Sequence, residues 1–136
     1  MSNLEQTLSI IKPDAVERNL ESKIKSFFEK AGLKILKSKK VKISKEEASE
    51  FYKVHQTKPF YDQLCSYLSS GPIVVMILEG ENAITKNREL MGATDPTKAL
   101  EGTLRKMYGI SIDKNSVHGS DSLDNAKIEI DFFFKD

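Results

Sequence analysis

Six consecutive apolar residues, Ile73-Val74-Val75-Met76-Ile77-Leu78, constrain this chain more than any other stretch. The run has the length of a strand and no polar interruption, which is the pattern of a central strand covered on both faces. The core is therefore expected to be organised around it. With 136 residues and 39% hydrophobic content there is material for one such core, so residues 1–136 are expected to form a single domain.

The other elements follow from local pattern. Thr7-Leu8-Ser9-Ile10-Ile11 reads as a short strand ended by Lys12-Pro13-Asp14, because proline disfavours continuation of either regular element, and Lys12 is left at the strand end. Leu20, Ile24, Phe27, Phe28 and Ala31 share one face of a helix that Gly32 stops. Leu33 begins an extended segment reaching Val41 and Ile43, and its Lys37, Lys39, Lys40 and Lys42 read as a solvated strand face. Ser44-Lys45-Glu46-Glu47 has the form of a capping box and opens a helix with Ala48, Phe51, Tyr52 and His55 on one side, which makes His55 a packed helix residue. Phe60, Leu64 and Leu68 define a shorter helix closed by Ser69-Ser70-Gly71-Pro72, and the two helices make a hairpin.

After the central strand, Asn82 can cap a helix through Met91 on which Arg88 stands between Ile84 and Met91, with Gly92 as the stop. Asp95-Pro96 has the signature of a further helix start, and Gly102-Thr103-Leu104-Arg105 leads into a helical turn closed by Gly109. Lys127-Ile128-Glu129-Ile130-Asp131-Phe132 alternates strictly and predicts a last strand, with Glu129 on the face opposite Ile128, Ile130 and Phe132. This order is an α+β pattern, compatible with the ferredoxin-like βαββαβ arrangement. It implies an antiparallel four-stranded sheet with a helical hairpin inserted before the third strand and a long loop before the fourth. A doubly wound parallel sheet satisfies the same order.

The segment from Gly92 to Ser122 is too long and irregular for a mere connection, and structured loops of that length are usually functional. It contains Asn115-Ser116-Val117-His118-Gly119-Ser120-Asp121, where a histidine sits among small, polar, turn-forming residues. Gly119 allows close approach of backbone or ligand, yet the same residue types make ordinary turns. Residue types leave His118 open between a turn residue and a reactive group.

Composition excludes several classes. The net charge is +1 with 30% charged residues, so nothing global advertises nucleic acid or an acidic membrane surface. The single Cys65 excludes an intrachain disulfide framework and a multi-cysteine zinc site, and agrees with a reducing compartment. No apolar run approaches the ~20 residues needed to span a bilayer, and the first residues lack the features of a signal peptide, so a soluble cytoplasmic protein is expected. There is no P-loop, Gly-x-Gly-x-x-Gly, His-Arg-Asp loop, Gly-x-Ser-x-Gly elbow or metal-ligand spacing. What remains is the histidine loop with Lys12, Arg88 and Arg105, each beside a turn or an element end. Such cations could converge on a polyphosphate, but spacing alone does not show that they do.

Taken together, Lys12-Pro13-Asp14-Ala15-Val16, Arg88 to Thr94, Gly102 to Arg105, Asn115 to Ser122, and Glu129 before Phe132-Phe133-Phe134 resemble the nucleoside diphosphate kinases over essentially the whole chain. The resemblance implies a ping-pong exchange: a nucleoside triphosphate donates its γ-phosphate to His118 and a different diphosphate accepts it. It implies Glu129 as the acceptor that orients the imidazole, with Ser120, Gly119 and Asp121 in support. Lys12 and Asn115 would meet the ribose hydroxyl, Lys12 also the terminal phosphate, and Arg88, Thr94 and Arg105 the phosphates. Tyr52 would sit beside the γ-phosphate, and Phe60, with Leu64 near it and Ile112 on the other face, would hold the base by stacking that leaves its Watson-Crick edge unread.

Mg2+ would arrive on the nucleotide rather than in a carboxylate cage. A homo-oligomer, tetramer or hexamer, is also implied. The chain departs from the family pattern at Ser22, Glu101 and Lys106-Met107, and the resemblance implies that an end two residues after Phe134 would leave out the extension that helps longer relatives pack as hexamers. A non-catalytic regulatory or single-stranded nucleic-acid-binding module on the same fold is the alternative. Its signature would be loss of His118, Asn115 or Lys12, and none is lost.

Overall fold

A computed structural model describes residues 4–53, 56–59, 61–110 and 114–134. The sheet contains β1 (Leu4–Ile11), β2 (Lys34–Val41), β3 (Ile73–Glu81) and β4 (Val117–Gly119), in the order β2-β3-β1-β4. Every pairing is antiparallel, which excludes the parallel alternative. The helices are α1 (Pro13–Glu17), α2 (Glu21–Lys30), α3 (Lys45–Phe51), α4 (Tyr61–Leu68), α5 (Ala83–Met91), α6 (Leu104–Tyr108) and α7 (Leu123–Phe134), with a 3-10 turn at Pro96–Lys98.

The apolar run at 73–78 is the central strand β3, and its side chains divide between two cores. Val74, Met76 and Leu78 pack with Ile24, Phe28, Ala83 and Met91 on the side of α2 and α5. Ile73 and Val75 pack with Ala48, Tyr52, Leu68 and Phe133 on the side of α3, α4 and α7. The edge strand β2 is nearly bare: Lys37, Lys39 and Lys40 are exposed, as is Lys42 just beyond it, in agreement with a solvated face.

The capping box is formed in full, with Ser44 Oγ accepting from Glu47 N at 3.0 Å and Glu47 Oε1 accepting from Ser44 N at 3.0 Å. Its helix ends at Phe51, and His55 lies outside the described residues. Asp95 also caps as expected, its side chain accepting from Thr97 N at 3.0 Å.

Four expectations are corrected. Pro13 does not end regular structure; it occupies the first position of α1, where its missing N–H would be unpartnered in any case. Asn82 precedes α5 at φ 52 and makes no side-chain cap. His118 lies on a strand rather than in a loop, because Val117–Gly119 pairs with Ser9–Ile11 to close the sheet edge. The segment from Lys127 to Phe132 is not a strand but part of α7, which follows the last strand. Ser122 caps α7, its Oγ accepting from Asn125 N at 3.1 Å and its carbonyl from Ala126 N at 2.9 Å. Ala126, Glu129, Ile130 and Phe133 then share one helical side at spacings of three and four. Ala126 and Phe133 are buried on it, whereas Ile128 is 66% exposed. The alternation was real, but the partner for Phe133 is the core beneath α7.

Candidate active site

Antiparallel pairing sets Ile10 directly opposite His118, so both side chains leave the same face of the sheet. Ile10 belongs to the core layer beneath α3 and α7, and the imidazole therefore meets those helices. Its Nε2 lies 2.9 Å from Glu129 Oε1, and the same oxygen accepts from Ser120 Oγ at 2.9 Å. Ser120 is itself fixed, its N–H donating to the Leu8 carbonyl at 3.2 Å. The ring of Phe51 stands edge-on to the imidazole, centroids 5.3 Å apart. Glu129 thus engages Nε2, and Nδ1 is the nitrogen that it leaves for another partner.

The residue after the histidine must be small. A Cβ on Gly119 would fall 2.2 Å from Asn87 Nδ2 and 2.8 Å from Met91 Cε, so the close packing of β4 on α5 requires glycine. That packing sets the helix bearing Arg88 beside the histidine strand.

Lys12 and Asn115 are 103 residues apart and joined, with Lys12 Nζ donating to Asn115 Oδ1 at 2.9 Å while Asn115 Nδ2 donates to the Thr94 carbonyl at 3.1 Å. Both are buried, at 5% and 2% exposure. Arg105, 9% exposed, donates from Nη1 to the Gly92 carbonyl and from Nη2 to the Val117 carbonyl, each at 3.0 Å. Its Nε is buried and has no partner among the described residues. Burial, and after it the charge of Arg88, pulls the Arg105 guanidinium down to about 10, which still leaves it a cation at neutral pH. A buried cation held on neutral carbonyls, with a second cation close by, is a preformed receptor for anionic oxygens.

Arg88, Gly92, Ala93, Thr94 and Arg105 line an open cavity of about 330 Å³. Gly92 is required at its edge: its φ is 84, and a Cβ there would lie 2.5 Å from Thr103 Oγ1. Arg88 and Thr94 are exposed, as suits residues that meet a ligand from outside.

The structure therefore brings His118, Glu129 and Ser120 into one cluster, Lys12, Asn115 and Thr94 into a second, and Arg88, Thr94 and Arg105 around one cavity. Tyr52 is buried, and its phenol is pushed up by that burial and by the nearby Cys65 and Glu129. Leu64 is half-buried against the core layer of α3 and α7. Asp121 is exposed and accepts from Asn125 Nδ2 at 2.6 Å, which holds its carboxyl below the ordinary carboxylate value and ties the strand exit to the first turn of α7. Phe60 and Ile112 lie outside the described residues.

Sequence reasoning missed two features. Phe51 showed only as a helical-face residue, and nothing in the spacing placed it on His118. The network beneath the Asn115 turn joins Asp14 to Tyr67, 53 residues away, and to Ser116, 102 residues away, and apart from the i,i+4 pair of Asp14 with Arg18 it carries no local signal.

The chain is similar to known proteins over nearly its whole length. A family profile described as nucleoside diphosphate kinase matches residues 5–136. A nucleoside diphosphate kinase of Campylobacter hominis is 60% identical over 131 residues, covering 96% of each chain, and one of Persephonella marina is 57% identical over 132 residues, covering 97% of this chain and 94% of its own. Among solved structures, the Aquifex aeolicus nucleoside diphosphate kinase superposes with a TM-score of 0.95 at 41% identity, covering 97% of this chain and 96% of that one. A halophilic nucleoside diphosphate kinase from Halobacterium salinarum, in complex with CDP, superposes with a TM-score of 0.92 at 42% identity, over 97% of this chain and 88% of that one. With the full set of clusters assembled on that fold, the chain belongs to the nucleoside diphosphate kinase family.

Proposed function

We propose that this nucleoside diphosphate kinase works through Nδ1 of His118, in a ping-pong exchange between a nucleoside triphosphate and a nucleoside diphosphate. The observation that carries the reading is the imidazole held through Nε2 on Glu129 at 2.9 Å, on a strand whose preceding carbonyl, that of Val117, anchors Arg105. In the first step the Nδ1 lone pair attacks the γ-phosphorus, the bond to the bridging oxygen breaks, and the diphosphate leaves with those electrons. The ring becomes cationic as the N–P bond forms, and Glu129 accepts the hydrogen bond from Nε2–H that strengthens with this charge. In the second step a terminal oxygen of another diphosphate attacks the same phosphorus and restores the neutral ring.

On this reading Lys12, Arg88, Thr94 and Arg105 hold phosphate oxygens, Lys12 and Asn115 the ribose hydroxyl, and Tyr52 stands beside the γ-phosphate. The base lies between Phe60 and Ile112, near Leu64. The family's need for a divalent ion would be met by Mg2+ carried on the nucleotide phosphates. The chain acts as one domain, 1–136, in the cytoplasm, and as a homo-oligomer, tetramer or hexamer. Exposed Leu100, Met107 and Ile110 support association through the segment before β4.

Incubation with γ-labelled nucleoside triphosphate should leave an acid-labile, base-stable label on the protein and none on His118→Ala. Equal labelling of the two proteins would refute the role of His118.

A further inference from the structure

We propose that Asp14 is a positioning residue that couples α4, the helix on the base side of the site, to the turn that presents Asn115, with Tyr67 and Ser116 as its two arms. The inference rests on the nucleotide orientation given under Proposed function.

The Asp14 carboxylate is 3% exposed, yet no step of the chemistry uses it. It collects donors from three segments. Arg18 Nη2 donates to Oδ2 at 3.0 Å within α1, Ser116 Oγ donates to Oδ2 at 2.8 Å, and the Tyr67 hydroxyl donates to Oδ1. The Tyr67 oxygen in turn accepts from the Asp14 N–H at 2.9 Å, so the two residues are bound in both directions. A buried carboxylate is weak evidence for stability, because its desolvation offsets most of what its partners supply. Its value here lies in joining segments that are 53 and 102 residues away in the chain.

Each arm ends on the site. Tyr67 is three residues after Leu64, so the two side chains share one side of α4. Ser116 is fully buried at φ 74, a left-handed conformation that a non-glycine residue holds only where its surroundings determine it. Those surroundings are Asp14, Arg18 and the Lys12 N–H, which donates to the Ser116 carbonyl at 2.8 Å. Asn115 precedes Ser116, and His118 follows two residues later. A base that settles against α4 therefore acts, through Tyr67 and Asp14, on the turn that sets Asn115 against Lys12. Base engagement tightens the grip on sugar and phosphate without a base edge being read.

The test compares a ligand with a base and one without, by direct titration that needs no turnover: ADP against ribose 5-diphosphate. Tyr67→Phe keeps the ring and deletes the hydroxyl arm. It should weaken ADP about tenfold, the size of one hydrogen bond to a charged acceptor, and ribose 5-diphosphate by less than about twofold, with the rate of His118 phosphorylation at saturating ATP unchanged. Ser116→Gly suits the positive φ and deletes the other arm, so it should show the same split. The double variant should be no worse than the single ones, because both arms act through one carboxylate. Equal losses for the two ligands, or no loss for either, would overturn the coupling while leaving the chemistry at His118 untouched. Absence of labelled phosphohistidine in the wild-type protein, with the binding split intact, would sink the catalytic reading and keep the coupling.

Discussion

Two basic regions of this molecule differ in kind. The edge strand β2 carries Lys34, Lys37, Lys39 and Lys40, all exposed, with partners that are loose or incidental: Lys40 lies 3.7 Å from Glu21, and Lys39 sits over the Phe134 ring. The region at the end of β1 and β4 has fewer cations, but Lys12 and Arg105 are buried and fixed on amide and carbonyl oxygens. Exposed charges are screened by water and salt within ~10 Å, and an exposed pair is worth only about 0–1 kcal/mol. A buried cation on neutral acceptors keeps its field and is already oriented, so an arriving phosphate need not organise it. On the proposed reading, few cations that are buried and fixed on neutral acceptors make the receptor, and the larger exposed number on β2 does not.

The largest effect should come from the histidine. His118→Ala leaves the cationic cradle intact but removes the proposed nucleophile, and turnover should fall by more than about a thousandfold while nucleotide still binds. Retained turnover would mean that the cradle alone, without covalent chemistry, suffices. Next comes Arg105→Ala, which removes a buried cation lining the cavity of Arg88 and Thr94 and, on the proposed reading, should lower kcat/KM by roughly 10²–10³. A loss below about threefold, no more than a surface lysine is worth, would erase the difference between the two regions.

Glu129→Gln should act on the rate rather than on binding. The amide keeps the size and one acceptor, but stabilises the cationic ring less than a carboxylate does, so single-turnover phosphorylation should slow by about 10–100-fold with nucleotide affinity unchanged. Weakened binding at an unchanged rate would assign Glu129 to the nucleotide and not to His118.

How much of this was legible beforehand depends on the range of the determining contact. The central strand and the Ser44 capping box are written within a few residues, and both formed as expected. The stretch from Lys127 to Phe132 alternates well enough to suggest a strand, yet its helix is decided by Ser122 behind it and by the core under Phe133. Val117–Gly119 is too short to carry a period at all; it is a strand because β1 pairs with it. The convergence of Lys12 on Asn115, or of Tyr67 on Asp14, joins distant segments, and no window of sequence contains it. Family resemblance supplied that convergence for the expected phosphate and histidine residues, but not for Tyr67 and Asp14.

The smallest expected effect is the most demanding test of the contrast, because it asks for no change where charge is plentiful. Lys37→Gln and Lys40→Gln together remove two positive charges from β2. If anion binding followed charge count, this would matter more than any single change in the cradle. With both side chains in water, the pair should alter kcat/KM by less than about twofold at physiological ionic strength. Lowering the salt lengthens the screening distance to ~30 Å at 0.01 M, where a weak steering contribution from β2 should emerge as a slower association rate in the double variant. A several-fold loss already present at physiological salt, persisting as salt rises, would place β2 in direct contact with the nucleotide and remove the distinction between a charged surface and a built site.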